Sequence, residues 1–122
     1  MSEIERLPPH SIEAEEAVLG SLLIDPDAIF EVAGFLKPDA FYRVHNRWIY
    51  DAIVALNERH EAIDFITLTE ELRRREQLEE VGGEAYLVGL LNVVPTAVNT
   101  RTYARAVEAA ATRRKLINAA GT

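Results

Sequence analysis

The chain has 122 residues, no cysteine and a formal net charge of −7. That length suits one domain with an unstapled core, burying roughly 65–70% of its unfolded surface. Without cysteine there are no disulfides, thiolate metal sites or cysteine catalysis, and the acidic balance argues against a grip on a phosphate backbone.

The charge is uneven: −7 over residues 1–36, −4 over 37–99 and +4 over 100–122. The chain reads as one helix after another. Pro8 and Pro9 end an extended arm over residues 1–10. Ser11 is a fair N-cap, with Glu13 and Glu15 where a helix dipole favours anions. Ile12, Val18, Leu19, Leu22 and Leu23 then keep helical spacing. Asp25-Pro26 stops this helix and starts the next, with Ile29, Phe30, Val32, Ala33 and Leu36 as the expected inner face. Lys37-Pro38-Asp39 opens a short turn carrying Phe41 and Tyr42. A longer helix over about 44–57 shows an apolar stripe of Val44, Trp48, Ile49, Ala52, Ile53 and Leu56.

Residues 62–66 read as a short apolar loop or bridge, too short and isolated for a sheet. Thr67-Leu68-Thr69-Glu70 reads as a capping box. It opens a helix with Leu68 and Leu72 inside and Arg73-Arg74-Arg75-Glu76 outside. Gly82-Gly83 breaks the chain where positive φ is needed. Tyr86, Leu87, Leu90 and Leu91 mark the next helix, which Pro95 ends. Asn99 caps a last helix whose stripe holds Tyr103, Val107, Ala110, Ala111, Arg114 and Ile117. The fold class is therefore all-α.

Catalytic and cofactor motifs fail in turn. None of the six glycines sits in a P-loop or a dinucleotide-binding motif. His60-Glu61 begins like H-E-x-x-H, but residue 64 is Asp, and His10, His45 and His60 lack ligand spacing. No serine sits in G-x-S-x-G. The carboxylate pairs Glu15/Glu16, Glu70/Glu71 and Glu79/Glu80 read as solvated helix surface. Arg73–Arg75 is expected to be neutralised by Glu70, Glu71 and Glu76, and Trp48 and Tyr42 to serve as core. No apolar run approaches the ~18–20 residues of a membrane span, and the acidic start lacks a signal-peptide core.

The order of pieces is more specific than any one. A proline pair is followed by S-I-E-A-E-x-A-V-L-G, a D-P turn, P-D-A-F-Y, H-N-R-W-I-Y-D-A-I and I-D-x-x-T-L. Then come L-E-E-V-G-G-E-A-Y-L, V-P-T-A-V-N-T-R-T-Y-A and R-R-K-L-I. Over about residues 7–118 this resembles the N-terminal domain of bacterial DnaB-type replicative DNA helicases. The resemblance implies a hexameric ring that unwinds DNA at the replication fork, driven by ATP and Mg in a RecA-like C-terminal motor. That motor domain and its cofactors are not expected among these residues. It implies an all-helical globular bundle followed by a helical hairpin that pairs protomers into a collar, which docks the C-terminal domain of primase.

On that basis residues 1–10 are an arm, 11–98 the globular domain, and 99–122 the first helix of a truncated hairpin. Partners are primase, further copies of the chain and a helicase loader, with DNA met only by the full ring and no membrane; the setting is the bacterial cytoplasm. Glu13, Glu16 and Tyr86 are candidates for the primase-facing surface, on local acidity and an amphipathic aromatic. Tyr103, Val107, Ala110, Arg114 and Ile117 are candidates for the oligomer interface, as a stripe expected to lie exposed without its partner helix. A reading of a different class is a stand-alone acidic helical regulator, binding nucleic acid or protein through the basic C-terminal helix and the Arg73–Arg75 run. Steep loss of binding with salt would separate a direct nucleic-acid binder from a collar domain.

Overall fold

The computed structural model describes residues 10–93 and 99–121, so the expectations for the Pro8-Pro9 arm and for Pro95 lie outside it. Six α-helices are present among the described residues: α1 Ile12–Ile24, α2 Ile29–Val32, α3 Val44–Glu58, α4 Phe65–Arg74, α5 Gly83–Asn92 and α6 Thr100–Gly121. Single 3₁₀ turns at Pro26–Ala28 and Pro38–Ala40 join the early elements, and no strand occurs in the described residues.

α1 starts where Ser11, in extended conformation, accepts the Ala14 N–H at 3.2 Å. It is buried almost all round, from Ala14 through Leu23 apart from Glu16. A helix without a polar face is a bundle centre, and α1 packs against α3, α5 and, most extensively, α6.

α2 is shorter than expected. A 3₁₀ turn and a single α-helical turn lead into Leu36, with Ile29, Val32 and Leu36 fully buried. Phe30, expected inside, is 75% exposed. It stands one residue, about 100°, off the i, i+3, i+7 row that the core accepts. Val44 is likewise corrected, since it is exposed at the first position of α3 while Asn46, Ile49, Tyr50 and Ile53 face inward. Trp48 is half-buried and packs against the core, as expected, while Tyr42 is half-buried without joining it.

The expected Thr67–Glu70 capping box is also corrected. Asp64 is the N-cap: its carboxylate accepts the Thr67 N–H at 2.9 Å, and the Thr67 hydroxyl accepts the Asp64 N–H at 3.0 Å. The apolar stretch before it is loop and helix start, with no bridge. α3 and α4 both end in Schellman turns. Glu61 N–H reaches Leu56 O and His60 N–H reaches Asn57 O; Gln77 N–H reaches Leu72 O and Glu76 N–H reaches Arg73 O. Gly82 and Gly83 take positive φ as expected, 109° and 70°.

α6 opens with the Asn99 side chain accepting the Thr102 N–H at 3.1 Å. Ala104, Val107, Ala110 and Ala111 are buried in this chain's own core. Arg105 lies 3.6 Å over the Phe35 ring, and Arg114 donates to Ala40 O at 2.7 Å while covering Tyr42. Residues 115–120 are all exposed.

Candidate docking site

Glu15, expected to be solvated, is 2% exposed. Its carboxylate accepts the backbone N–H groups of Tyr42 and Arg43 and the Asn46 side-chain amide at 2.9 Å. A carboxylate with three donors tolerates burial because its lone pairs are satisfied. It caps the start of α3, whose N-cap residue Arg43 makes no side-chain cap of its own. Charge near a helix N-terminus adds to that role. α1 is thus pinned to α3 through a polar contact inside an apolar core.

The network continues outward. With its amide nitrogen committed to Glu15, Asn46 turns its oxygen to the Tyr86 hydroxyl, which donates at 2.6 Å. That short contact takes the single phenolic proton. The Glu16 carboxylate stands 3.3 Å from the same hydroxyl, and Arg43 donates to it at 3.3 Å while lying 3.5 Å from Glu16. Burial, reinforced by the negative charge of Glu16 and opposed by Arg43, holds the Tyr86 phenol above its ordinary 10.0. The hydroxyl therefore stays protonated at neutral pH and serves as a fixed donor.

Tyr86 and Glu16 line a cleft of about 180 Å³ with Ala85, Gly89, Leu90 and Val93. Val93 also borders a wider depression of about 540 Å³, lined by Ser11, Glu13, Ala14, Ala17, Thr102, Tyr103 and Ala106. Glu16 and Tyr86 thus line the cleft and Glu13 the wider depression, and the two adjoin at Val93 to make a groove beside α1. Glu13 is exposed at its edge, and Glu16 and Tyr86 touch. Small residues, among them Ala14, Ala17 and Gly89, are part of the lining and allow another backbone to come close, and Glu13 and Glu16 make it acidic.

The stripe expected to be open on the last helix is largely covered. Val107 and Ala110 are 2% and 3% exposed, Tyr103 is half-buried, and Arg114 is committed to Ala40 and Tyr42. Of the five interface candidates only Ile117 is open, at 55%, beside Leu116 at 64%. Sequence reading missed Glu15, Arg43 and Asn46. Asn46 carried a signal: with Ile49, Tyr50 and Ile53 it keeps i, i+3, i+4, i+7 spacing, and an amide on a buried row needs partners.

A second charged cluster lies away from the groove. Glu71, also expected to be solvated, is 4% exposed and accepts from Arg59 at 2.8 Å, Arg74 at 2.6 Å and Arg75 at 2.8 Å. Arg75 also reaches Asp51, and Arg73 pairs with Glu84. Neutralisation of the arginine run therefore comes from Glu71, Asp51 and Glu84 rather than from Glu70 and Glu76. Among the described residues no group of three or more His, Asp or Glu side chains could hold a metal ion, and no helix is long and apolar enough to cross a membrane.

Comparison with known proteins adds a family context to this geometry. A family model, the DnaB-like helicase N terminal domain, matches residues 7–109. The chain is 47% identical over 122 residues to the replicative DNA helicase DnaB of Geobacillus stearothermophilus, covering 98% of this chain and 27% of that protein. It is 46% identical over 118 residues to the replicative DNA helicase DnaC of Bacillus subtilis (strain 168), covering 97% of this chain and 26% of that protein. It thus spans about a quarter of the length of these two relatives. Among solved structures, the N-terminal domain of DnaB helicase from Mycobacterium tuberculosis superposes with a TM-score of 0.91 at 42% identity, covering 94% of this chain and 82% of that one. A DnaB-like replicative helicase described with its interactions with primase matches with a TM-score of 0.79 at 30% identity, over 91% of this chain and 26% of that one.

Proposed function

The chain belongs to the family of DnaB-like helicase N-terminal domains, and from that premise we propose that it is the collar region of a hexameric, ATP-dependent replicative DNA helicase. In this reading it performs no catalysis. ATP and Mg act in the motor domain, which the parts of the longer relatives beyond this stretch would supply. Residues 11–98 form the globular head, and 99–122 open the helical hairpin through which protomers pair. The cytoplasm of a bacterium is the setting.

Its own task is to dock the C-terminal domain of primase and help assemble the ring; a helicase loader is a further partner. The observation that carries the docking role is the groove that joins Glu13, Glu16 and Tyr86. A lining of small and acidic residues fits a helix with basic residues laid along it, the acids steering encounter more than setting affinity. Two solved relatives named for DnaB, one from Helicobacter pylori, are described with interactions with primase, which supports the same partner here.

Titration of this chain with the C-terminal domain of the cognate primase in a calorimeter tests the proposal. Binding at micromolar or tighter affinity is expected. Glu13→Lys should weaken it several-fold, with a shallower salt dependence, and Tyr86→Phe should remove the hydroxyl while keeping the ring. Binding unchanged by both substitutions, with the fold intact, would take the groove out of the docking surface.

A further inference from the structure

The two polar residues of the cleft, Glu16 and Tyr86, already meet a cation of this chain. Arg43 approaches Glu16 at 3.5 Å and the Tyr86 hydroxyl at 3.3 Å. Charge-assisted pairs close to about 2.7–2.9 Å when they are well formed. The arginines around Glu71 reach such distances, 2.6–2.8 Å, and Arg43 does not. Its side chain is 41% exposed against 23% for Glu16, so the cation is the more loosely held partner. Its backbone, by contrast, is fixed, because its N–H is bound to Glu15. A guanidinium anchored at its root and loose at its tip stands beside the Glu16 carboxylate and a phenol oxygen that Asn46 holds in place.

We infer that the Glu16–Tyr86 end of the groove is a guanidinium site for the docking partner, and that Arg43 holds it until the partner supplies an arginine of its own. This rests on the docking reading given above. The partner chemistry follows from the acceptors. Glu16 and the Tyr86 oxygen are 3.3 Å apart, and a planar guanidinium spans two neighbouring acceptors where an ammonium acts as a point charge. Charge complementarity selects a basic occupant, since residues 1–36, which supply Glu13 and Glu16, carry a net −7. Ala85 and Gly89 beside Tyr86 leave room for the stem of an incoming side chain. The partner is therefore a helix whose arginine enters this end of the groove, displacing Arg43 into solvent.

Displacement of an exposed ion pair costs the partner what that pair was worth, so Arg43→Ala should bind the primase C-terminal domain about two- to fivefold more tightly. The substitution keeps the backbone contact to Glu15, and circular dichroism should show unchanged helix content. Glu16→Gln should bind more weakly than wild type. In the Glu16→Gln background Arg43→Ala should have no further effect, because the resident cation then competes for nothing. Arg43→Ala binding no tighter than wild type would overturn the inference and make Arg43 part of the contact surface. A wild-type chain that fails to bind the primase domain would overturn the docking reading, and this inference with it.

Discussion

Two residues occupy backbone conformations that their side chains resist. His60 and Glu76 sit at φ of 62° and 60°, each one position past a helix C-cap residue. The Schellman turns after α3 and α4 demand that conformation, and a side chain there costs roughly 1 kcal/mol or more. His60→Gly should therefore raise stability by about 0.5–1 kcal/mol, the gain being trimmed by the looser unfolded chain. Urea denaturation measures it, and a loss of stability would mean that the His60 side chain makes a contact worth more than the strain. Glu71 gives a pH-dependent case. Hydrogen bonds from Arg59 first, and from Arg75 and Arg74, outweigh its burial and hold its carboxyl at about 2 against an ordinary 4.5. Because the folded value is the lower one, its stabilisation is complete above about pH 5 and is lost as pH falls towards 2. The three arginines are partly exposed, which screens the pairs, so up to ~3 kcal/mol is an upper bound. Thermal melts between pH 6 and pH 3 should show a steeper decline for wild type than for Glu71→Gln; equal slopes would place the acid sensitivity elsewhere.

At the scale of elements, Gly82 links the fold to the groove. It has φ of 109°, and a Cβ there would stand 2.9 Å from Tyr86 Cβ. Gly83 has φ of 70° with nothing within 4 Å of such an atom. Gly82→Ala should thus cost about 1–3 kcal/mol and displace Tyr86, while Gly83→Ala should cost nearer 1 kcal/mol. Differential scanning calorimetry ranks the two, and primase titration reads the displaced tyrosine; equal losses in both assays would defeat the argument. The same elements show what sequence can carry. The caps at Ser11 and Asn99 and the break at Gly82-Gly83 were legible because they rest on chemistry within a few residues. The cap of α4 was misplaced because two overlapping patterns compete, and Asp64 with Thr67 wins over Thr67 with Glu70. Phe30 and Val44 were assigned inward because an apolar residue beside a stripe looks like part of it, and only the packing partner fixes the row. Glu15 was illegible for the complementary reason: its burial depends on donors that converge from 27 to 31 residues away. Glu71 was partly legible, since Arg74 and Arg75 stand three and four residues on along the same helix, and only Arg59 reaches it from outside that helix.

At the scale of the whole molecule, α6 is the element that serves both the core and, in the proposed reading, the pairing of protomers. Its first half is core, clamped by Arg105 on Phe35 and by Arg114 on Ala40, so stripe spacing alone could not tell an interface within this chain from one between chains. What remains open is residues 115–120, with Leu116 and Ile117 exposed at 64% and 55%. If two copies paired symmetrically through this stretch, four side chains would be covered. Each is already partly buried, so each gains about 0.75–1.5 kcal/mol, half the value for complete burial. The sum, ~3–6 kcal/mol, reaches only the low end of the ~4–15 kcal/mol lost in freedom of motion on association. The described helix therefore falls short of a stable dimer by itself, and the proposed collar would need buried area beyond this stretch. Sedimentation velocity should find this chain monomeric at micromolar concentration, with self-association only when it is far more concentrated. Ile117→Ser should reduce that association while moving the stability of the monomer by less than about 0.5 kcal/mol, since the side chain touches no core. A tight dimer insensitive to Ile117→Ser would place the pairing surface on another face, and the groove beside Tyr86 would then be the first to examine by the same method.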